Sequence, residues 1–516
     1  MSQQPRKIVI IGGGIAGLCA AVYAQSCGYQ AEVIEMHDTP GGLATSWHRH
    51  GYTFENCLHW LVGSNPQSQF FSFWKEVFDI DKLTFINPDV FLTIQDKNGD
   101  RLRIHTNTDY LESELIHRAP EDAAQIRRFT ATVRKFSRFQ FPDLASDSTG
   151  KWLALLRDLP YFPLLQRYSG ITGMQYGERF INPLLKSFFT DGYAAQMSCL
   201  ALFFSLAWMN NRDAGYPIGG SQAVIRLIVE RLTSLGGKIR LQSKVEKILV
   251  QDGAAIGVHL TSGESVFADW VISASDTHAT LFDLLNGRFN TTQTVAPFHQ
   301  FETFPSYLLV SLGIAQDLSQ QPAFLVQLLD APLQVDPGTR LRNLAFRFFH
   351  FDPTFAPDGK TAVNAFLPTR NFQHWLRLRQ QDLSAYDAEK QRIAEAVIAV
   401  LEKPIPNLRA VIEVTDIATP ATVIRYTANW HGSMEGWLLT PATGYRPLPN
   451  ALPGLDRFFM VGQWVSPGGG LPSGLLTARS ALQAICKLDH VPFTPGKQPQ
   501  LSVASPAEEI QQKKFA

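Results

Sequence analysis

Residues 7–35 read KIVIIGGGIAGLCAAVYAQSCGYQAEVIE and contain the parts of a strand–turn–helix–strand unit. Residues 7–11 (KIVII) form a short apolar, β-branched run, which is typical of a buried parallel strand. The glycine pattern GxGxxG follows at once, and the small residues 18–26 predict a helix that Gly28 can end. A second predicted strand, residues 31–35 (AEVIE), ends in an acidic residue. This order indicates a Rossmann-type βαβ unit.

Each part of this unit has a physical role in binding a dinucleotide. Gly12 permits the tight turn, Gly14 lets backbone N–H groups approach a pyrophosphate, and Gly17 allows close helix–strand packing. The N-terminus of the helix directs partial positive charge toward the phosphates. Glu35 can accept hydrogen bonds from ribose hydroxyls, and Met36 offers no cation for a 2′-phosphate. We therefore predict a dinucleotide site that contains Gly12, Gly14, Ile15, Ala16, Gly17 and Glu35.

The composition argues against several classes of function. The 516 residues carry 46 Lys+Arg and 46 Asp+Glu, so the net charge is zero and nucleic acid is not an expected partner. Hydrophobic residues make up 45% of the chain, which is typical of a globular protein with a large core. The five cysteines are scattered without a CxxC, and no HExxH occurs, so we predict neither a metal site nor a redox-active dithiol. This cysteine usage is typical of a cytoplasmic protein.

No membrane-spanning helix is expected, because no run reaches the ~18–20 apolar residues that a bilayer requires. Residues 152–168 (WLALLRDLPYFPLLQRY) leave two alternatives open. They could lie flat at a membrane interface as a peripheral contact, or they could form an ordinary amphipathic helix pair that is broken at Pro160. The oligomeric state stays open at this point.

Further glycine-rich blocks follow the first unit along the chain. Residues 40–43 (PGGL) lead to residues 51–55 (GYTFE), and residues 216–220 (YPIGG) precede a predicted helix. Residues 458–474 (FFMVGQWVSPGGGLPSG) combine a strand, a glycine-rich loop and a helix start. With the GxGxxG unit, these blocks resemble the FAD-dependent flavoprotein family of phytoene desaturases, carotenoid isomerases and retinol saturases. The resemblance extends from about residue 6 to residue 490 of this sequence.

This resemblance implies that the dinucleotide is FAD. No cysteine lies near the loop at residues 462–474, so we expect the flavin to be held without a covalent bond. In the family, the residue at the position of Val245 holds the adenine through its backbone. The chain departs from the family pattern at Glu55, where the family has Asp, and at Cys57, where it has Gly. The further residues expected at the cofactor are Gly42, Leu43, Val245, Gly462, Gly469, Leu471 and Gly474.

The resemblance also implies how the chain is divided. We predict an α/β protein whose Rossmann-type FAD-binding domain is a three-layer ββα sandwich, built from residues 1–65, 214–300 and 450–490. The inserts, residues 66–213 and 301–449, are expected to form a mixed α+β substrate-binding domain, and residues 491–516 a mobile tail. Phenylalanines concentrate in the first insert. They could fill a core or line a tunnel for a long apolar molecule.

The chemistry that the resemblance implies is the formation, reduction or isomerisation of C=C bonds in a long apolar substrate, either isoprenoid or acyl, by hydride exchange with flavin N5. His59 and Glu55 lie four residues apart beside the flavin-proximal motif, and either type of side chain can move protons. Both could instead be structural, since a lone histidine often packs and the family's Asp is mainly structural. Three further candidates for proton transfer are Tyr426, His431 and Glu435.

Two other functions remain open from the sequence. One is an amine oxidase-like flavoprotein on a related fold. The other is a carrier of prenylated or lipid cargo that uses the same fold without redox chemistry. Retention of the complete GxGxxG pattern and Glu35 argues against loss of the nucleotide and hence against the carrier.

Overall fold

The structure is a computed structural model that describes residues 5–139 and 157–496. The strands, in chain order, are β1 (Lys7–Ile11), β2 (Gln30–Ile34), β3 (Ser46–Arg49), β4 (Tyr52–Glu55), β5 (Leu61–Val62), β6 (Phe85–Ile86), β7 (Val90–Gln95), β8 (Arg101–His105), β9 (Ala214–Pro217), β10 (Lys238–Arg240), β11 (Val245–Gln251), β12 (Ala254–Leu260), β13 (Ser265–Phe267), β14 (Trp270–Ser273), β15 (Ser306–Ile314), β16 (Phe324–Asp336), β17 (Thr339–Phe348), β18 (Thr361–Thr369), β19 (Ile412–Ala418) and β20 (Phe458–Met460). The α-helices are α1 (Ile15–Ser26), α2 (Gln69–Val77), α3 (Thr108–Arg118), α4 (Ala123–Phe136), α5 (Phe162–Ser169), α6 (Gly173–Gly177), α7 (Pro183–Thr190), α8 (Cys199–Asn210), α9 (Gly220–Ser234), α10 (Thr292–Gln300), α11 (Phe372–Gln381), α12 (Leu383–Glu402), α13 (Pro420–Thr427) and α14 (Gly470–Leu488).

The KIVII strand β1 lies at the centre of a five-stranded parallel sheet of order β10-β2-β1-β14-β20. Its side chains alternate between two cores because successive residues of a strand point to opposite faces. Ile8 and Ile10 pack with the helical layer that contains α1, α9 and α14. Val9 and Ile11 pack with the antiparallel meander β11-β12-β13 on the other face. The expected three-layer ββα sandwich is therefore confirmed.

The parallel sheet is assembled from distant parts of the chain. Strands β1 and β2 come from the first predicted piece, β10 and β14 from the second, and β20 from the third. The register pairs Val271 with Phe458 across β14 and β20. Because β20 is followed directly by α14, the late glycine-rich loop is delivered to the carboxyl edge of the sheet, next to the GxGxxG turn.

The two inserts also share one sheet. Its seven strands have the order β19-β15-β18-β17-β16-β7-β8, so β7 and β8 from the first insert join strands from the second. The joint is the parallel pairing of β7 with β16, in which Thr93 faces Leu325. One face of this sheet packs on α12 through an apolar core that includes Leu344, Phe346 and Phe348. The two inserts therefore build one mixed α+β unit. In the chain, they lie between the pieces that build the parallel sheet.

The aromatic residues of the first insert mostly fill cores. Phe129, Phe136 and Phe203 are at most 2% exposed and contact one another. Their cluster also contains Tyr176 and Phe189, so these rings stabilise the helical part of the insert rather than line a tunnel. Phe70, Phe71, Trp74 and Phe78 are likewise buried. Phe141 lies outside the described residues.

Two regions with open alternatives are described only in part. Residues 157–168 contain a short 3-10 turn followed by α5, and the rest of the segment starting at residue 152 lies outside the described residues. Residues 491–496 lie against α1, where Phe493 contacts Tyr23 and Thr494 Oγ1 donates to Ser26 O at 3.1 Å. Residues 497–516 lie outside the description. Within the described ranges, no helix has the length and apolar character needed to cross a bilayer.

Candidate active site

The turn between β1 and α1 has a shape that only glycine permits at key positions. Gly12 has φ +97°, and a Cβ at Gly17 would lie 2.0 Å from the carbonyl oxygen of Gly12. Gly14 occupies the N-cap of α1 and provides no side chain that could accept from the first helical N–H groups. These donors therefore remain available to a phosphate at the positive end of the helix.

Glu35 follows β2 and braces this turn. Its buried carboxylate accepts from Gly13 N at 2.6 Å and from His37 N at 2.8 Å. Each carboxylate oxygen retains a lone pair after these bonds, so the group can also accept from a ribose hydroxyl. Val245 lies nearby at the start of β11, since Ser243 N donates to Glu35 O at 2.8 Å, and its side chain is buried in the core.

The second glycine block closes over the first. Gly41 N donates to Gly13 O at 2.8 Å, and a Cβ at Gly42 would lie 3.2 Å from Gly14 Cα. The following Leu43 packs against the apolar cluster beneath β15, which includes Tyr307. The chain thus passes directly from the predicted phosphate site toward the sheet formed by the inserts.

The third glycine block meets the N-terminus of α1. Gly462, Gly469 and Gly470 all have positive φ, so the loop between β20 and α14 makes turns that side chains would disfavour. A Cβ at Gly474 would lie 2.8 Å from Ile15 Cγ2 and 3.3 Å from Ala16 N. Leu471 is buried in the helical core. The N-terminal ends of α1 and α14 therefore converge, which concentrates positive helix-end potential beside the loops.

The glycine loops and Glu35 together fit the shape and charge of FAD. Two convergent helix ends, a Cβ-free cradle and a braced acidic residue match the pyrophosphate and ribose of a dinucleotide. The predicted residues come together on three loops at one edge of the sheet, while Val245 approaches from the meander. We propose these residues as the contacts of FAD.

Glu55 ends β4 and holds several backbone segments in place. Its Oε1 accepts from the N–H groups of Cys57 and Leu58, both at 3.0 Å, and its Oε2 accepts from Ser221 N at 2.8 Å. The Ser221 hydroxyl also donates to Oε1 at 2.5 Å. The carboxylate therefore caps α9 and organises residues 56–58. Burial raises the pKa of Glu55, while these donors act in the opposite direction. Because its lone pairs are used structurally, we infer a positioning role.

We predict that Glu55→Gln lowers the free energy of unfolding by about 1–3 kcal/mol, because an amide nitrogen cannot accept from the buried Ser221 donors. Denaturant titration at neutral pH measures this change. Glu230→Gln is the matched control on the same helix, α9, where the exposed carboxylate has only an exposed pairing with Arg226. Equal stabilities of Glu55→Gln and the control would contradict the capping role.

His59 lies four residues beyond Glu55 on a different side of the loop. Its ring stacks on Phe324 with a centroid distance of 6.0 Å, and its carbonyl oxygen accepts from Arg347 Nη2 at 2.7 Å. Burial, followed by the charge of Arg347, lowers the pKa of His59 to about 3. The lowered pKa favours the neutral imidazole near pH 7.

Several polar side chains retain accessible surface although protein atoms crowd around them, and we infer that they border a common interior space. Burial raises the pKa of Cys57 and of Tyr193, and the charge of Glu435 adds a smaller effect in the same direction. Burial lowers the pKa of His59, and the charge of Arg347 lowers it further. Aromatic rings extend this border, including Trp60, Phe91, Phe324 and Phe366. We use the term interior space for the region bordered by Cys57, His59, Tyr193, Arg347 and Glu435.

Glu435 contacts the late glycine loop through its backbone and its Cβ atom. A Cβ at Gly469 would lie 2.6 Å from Glu435 Cβ, so the two backbones touch. Among the described residues, no group donates a hydrogen bond to its carboxyl oxygens. Burial raises the pKa of Glu435 to about 7. A carboxyl that is half-protonated near neutrality and borders the interior space can either take or give a proton.

The other two candidates lie elsewhere. Tyr426 is 43% exposed on α13, with its ring against His37. His431 stacks on Trp430 and on Phe372, and burial lowers its pKa to about 4. Neither contacts the glycine loops. Arg347 and Tyr193 were not predicted, and no spacing rule in the sequence identifies them, because a single Arg in an alternating strand usually faces water.

Comparisons with known proteins agree with this geometry. The family model described as flavin containing amine oxidoreductase matches residues 15–486. A neurosporene-forming phytoene desaturase from Cereibacter sphaeroides is 26% identical over 491 residues, covering 90% of this chain and 92% of the relative. Prolycopene isomerase 1 from an Oncidium hybrid cultivar is 24% identical, covering 90% of this chain and 81% of the relative.

Solved structures show the same fold. An oxidoreductase from Methanosarcina mazei aligns with a TM-score of 0.58 and 17% identity, covering 92% of this chain and all of that one. A redesigned putrescine oxidase aligns with a TM-score of 0.61 and 14% identity, covering 94% and 99% of the two chains. The chain therefore belongs to the flavin-containing amine oxidoreductase family, and it is an FAD-dependent oxidoreductase.

Proposed function

We propose that this enzyme forms, reduces or isomerises C=C bonds in a long polyene, with Glu435 as the residue that moves protons. The observation that carries the proposal is Glu435, whose backbone and Cβ lie against Gly469 of the late glycine loop and whose carboxyl has no hydrogen-bond donor among the described residues. Relatives named phytoene desaturase and prolycopene isomerase support a polyene substrate. Aromatic side chains around the interior space support an apolar one.

These contacts assign separate roles to FAD and to Glu435. FAD, when bound, supplies two-electron hydride exchange with the substrate. In the desaturating direction one carbon loses hydride, and the Glu435 carboxylate takes the proton that leaves the neighbouring carbon. In the saturating direction the carboxylic acid returns that proton. His59 stays neutral and presents a flat face to the substrate rather than a charge, since its ring stacks on Phe324.

Product analysis tests this function. The FAD-loaded enzyme is incubated without oxygen with phytoene, lycopene or a poly-cis lycopene, first with oxidised flavin and then with flavin reduced by dithionite. We expect at least one polyene to gain or lose two hydrogens, or to change geometry, in chromatography with mass detection. Putrescine and benzylamine serve as the comparison substrates. Oxidation of an amine with no change in any polyene would contradict the proposal and support an amine oxidase.

We also propose that the enzyme is cytoplasmic and reaches its substrate by peripheral contact with a membrane. In the described part of the first insert, Leu159 and Phe162 are 52% and 56% exposed at the start of α5. Arg167, in the last turn of the same helix, is exposed as well and can approach anionic headgroups.

We predict that replacing Leu159 and Phe162 together by Ser weakens binding to anionic phospholipid vesicles, measured by co-sedimentation, by about 10- to 100-fold, because burying the exposed halves of both side chains contributes roughly 1.5–3 kcal/mol in total. The control replaces Leu383, which is 60% exposed on α12 in the second insert. Equal sedimentation of both variants with the parent enzyme would exclude α5 as the contact.

A further inference from the structure

Among the residues that the structure describes, Arg347 is a cation without a carboxylate partner. It lies on β17, where its neighbours Phe346 and Phe348 point into the core beneath the sheet. Arg347 therefore points to the other face, toward the loop that carries His59. Its guanidinium is surrounded by three aromatic rings, with centroids at 5.5 Å for Phe324, 5.8 Å for Phe351 and 5.9 Å for Tyr216.

The hydrogen bonds of Arg347 are far from complete. A guanidinium has five N–H donors, and Nη2 donates to His59 O at 2.7 Å. Nε is sealed from solvent without a partner. Nη1 has no protein partner among the described residues and, unlike Nε, is not sealed. Among these residues no Asp or Glu lies within salt-bridge distance of the group.

The nearest acidic side chain cannot satisfy Arg347. Glu55 exerts a favourable field on it, but the Glu55 carboxylate is already used by the backbone of residues 57 and 58 and by Ser221. Burial outweighs that field and lowers the pKa of Arg347 to about 10, so the group is still charged at neutral pH. A charge taken out of water is costly unless a partner charge or hydrogen bonds compensate it.

The open Nη1 borders the same interior space as the rings expected to contact substrate. Phe324 touches both His59 and Phe91, and Phe91 touches Trp60, so an aromatic wall begins at Arg347. Residues 57–59 connect Arg347 with Glu435, because His59 O accepts from Arg347 and the charge of Glu435 acts on Cys57. One long ligand could therefore present one end to Arg347 and an inner carbon to Glu435.

We propose that Arg347 binds an anionic carboxylate at the end of the substrate, so that the preferred substrate is a polyene carboxylic acid rather than a hydrocarbon. This inference rests on the proposed function. A guanidinium can form charge-assisted hydrogen bonds with a carboxylate, while a hydrocarbon end would leave Nη1 and its charge unsatisfied.

Equilibrium binding to the FAD-loaded enzyme, without turnover, tests this proposal. The probes are all-trans-retinoic acid, its methyl ester and a polyene hydrocarbon of equal chain length, followed by quenching of flavin and tryptophan fluorescence. We expect the acid to bind about 10- to 100-fold more tightly than the ester or the hydrocarbon. Arg347→Met should abolish this preference while leaving binding of the hydrocarbon within about twofold.

Two further variants separate recognition from folding. Arg347→Lys keeps a positive charge without the planar fork and should retain part of the preference. Arg370→Met is the control, because Arg370 is exposed and pairs with Glu302. FAD content is measured for each variant as the sign of a folded enzyme. If the parent enzyme and Arg347→Met both bind acid, ester and hydrocarbon equally, the inference is overturned.

Failure of this inference can be distinguished from failure of the proposed function. Polyene hydrocarbons that are converted without any preference for the acid would overturn the role of Arg347 and leave the C=C chemistry in place. Tight acid binding that is lost in Arg347→Met, together with no conversion of any polyene, would support the carboxylate site and overturn the C=C chemistry.

Discussion

Glu435→Gln is expected to slow conversion of the polyene by about 100-fold or more, the usual range for loss of a general acid or base. The amide keeps the size and polarity of the side chain but cannot take a proton. Because the contact between residue 435 and Gly469 is made by backbone and Cβ atoms, FAD should bind with unchanged affinity. Single-turnover rates and FAD titrations measure the two quantities separately.

The pH dependence of the reaction rate shows whether Glu435 takes or gives the proton. Burial raises the pKa of Glu435 from 4.5 to about 7 in the folded enzyme. If the reaction removes hydrogen, Glu435 must be a carboxylate and the rate rises with pH up to about 7, then levels off. If the reaction adds hydrogen, the acid is required and the rate falls over the same range. The Gln variant should lack this transition in either direction.

A matched substitution distinguishes proton transfer from a general loss of charge. Glu302→Gln removes a carboxylate that is exposed and paired with Arg370. It should leave both the rate and the pH profile within about twofold of the parent enzyme. A Glu435→Gln enzyme with the parent's rate and pH profile would show that another group moves the proton.

Gly17→Ala is expected to weaken FAD binding by about 10- to 100-fold and to yield a largely colourless protein. The new Cβ would lie 2.0 Å from the carbonyl oxygen of Gly12 and 3.2 Å from the Ala274 side chain. The start of α1 must therefore move away from the turn, and overpacking of this kind costs about 1–3 kcal/mol. The displaced N–H groups would no longer meet the pyrophosphate.

Gly170→Ala is the control for this substitution. Gly170 has φ −85°, and a Cβ there would make only an ordinary 3.5 Å contact with Gln166 O. FAD content per chain and the dissociation constant for FAD are measured for both variants. Full FAD content in Gly17→Ala, with the parent's affinity, would contradict the assignment of this turn to the pyrophosphate.

The features that could be predicted from the sequence are mainly local ones. Gly12, Gly14 and Gly17 are required by the shape of one turn, so their spacing alone indicates it. The alternation of β1 between two cores follows from a run that is apolar on both faces. These properties depend on neighbouring residues, whereas the ββα arrangement, which is also confirmed, was predicted from the resemblance to the flavoprotein family.

The remaining features depend on contacts between distant segments. The strand containing Arg347 has an alternating pattern, which does not show whether its polar face meets water or the loop at His59. Glu435 reaches the glycine loop because its neighbour Gly436 packs against Gln463 of that loop and because Gly469 of the loop packs against Glu435. The spacing of the phenylalanines in the first insert does not distinguish a core from a tunnel. In the structure, most of them fill a core.

The C=C chemistry is tested most directly by one anaerobic turnover in which the polyene composition and the flavin absorbance are recorded together. We expect one of three matched results. The polyene loses two hydrogens as oxidised flavin bleaches, gains two as reduced flavin regains its colour, or changes geometry with reduced flavin unchanged. Polyenes recovered unaltered with both flavin states, while an amine bleaches the flavin, would contradict the C=C chemistry.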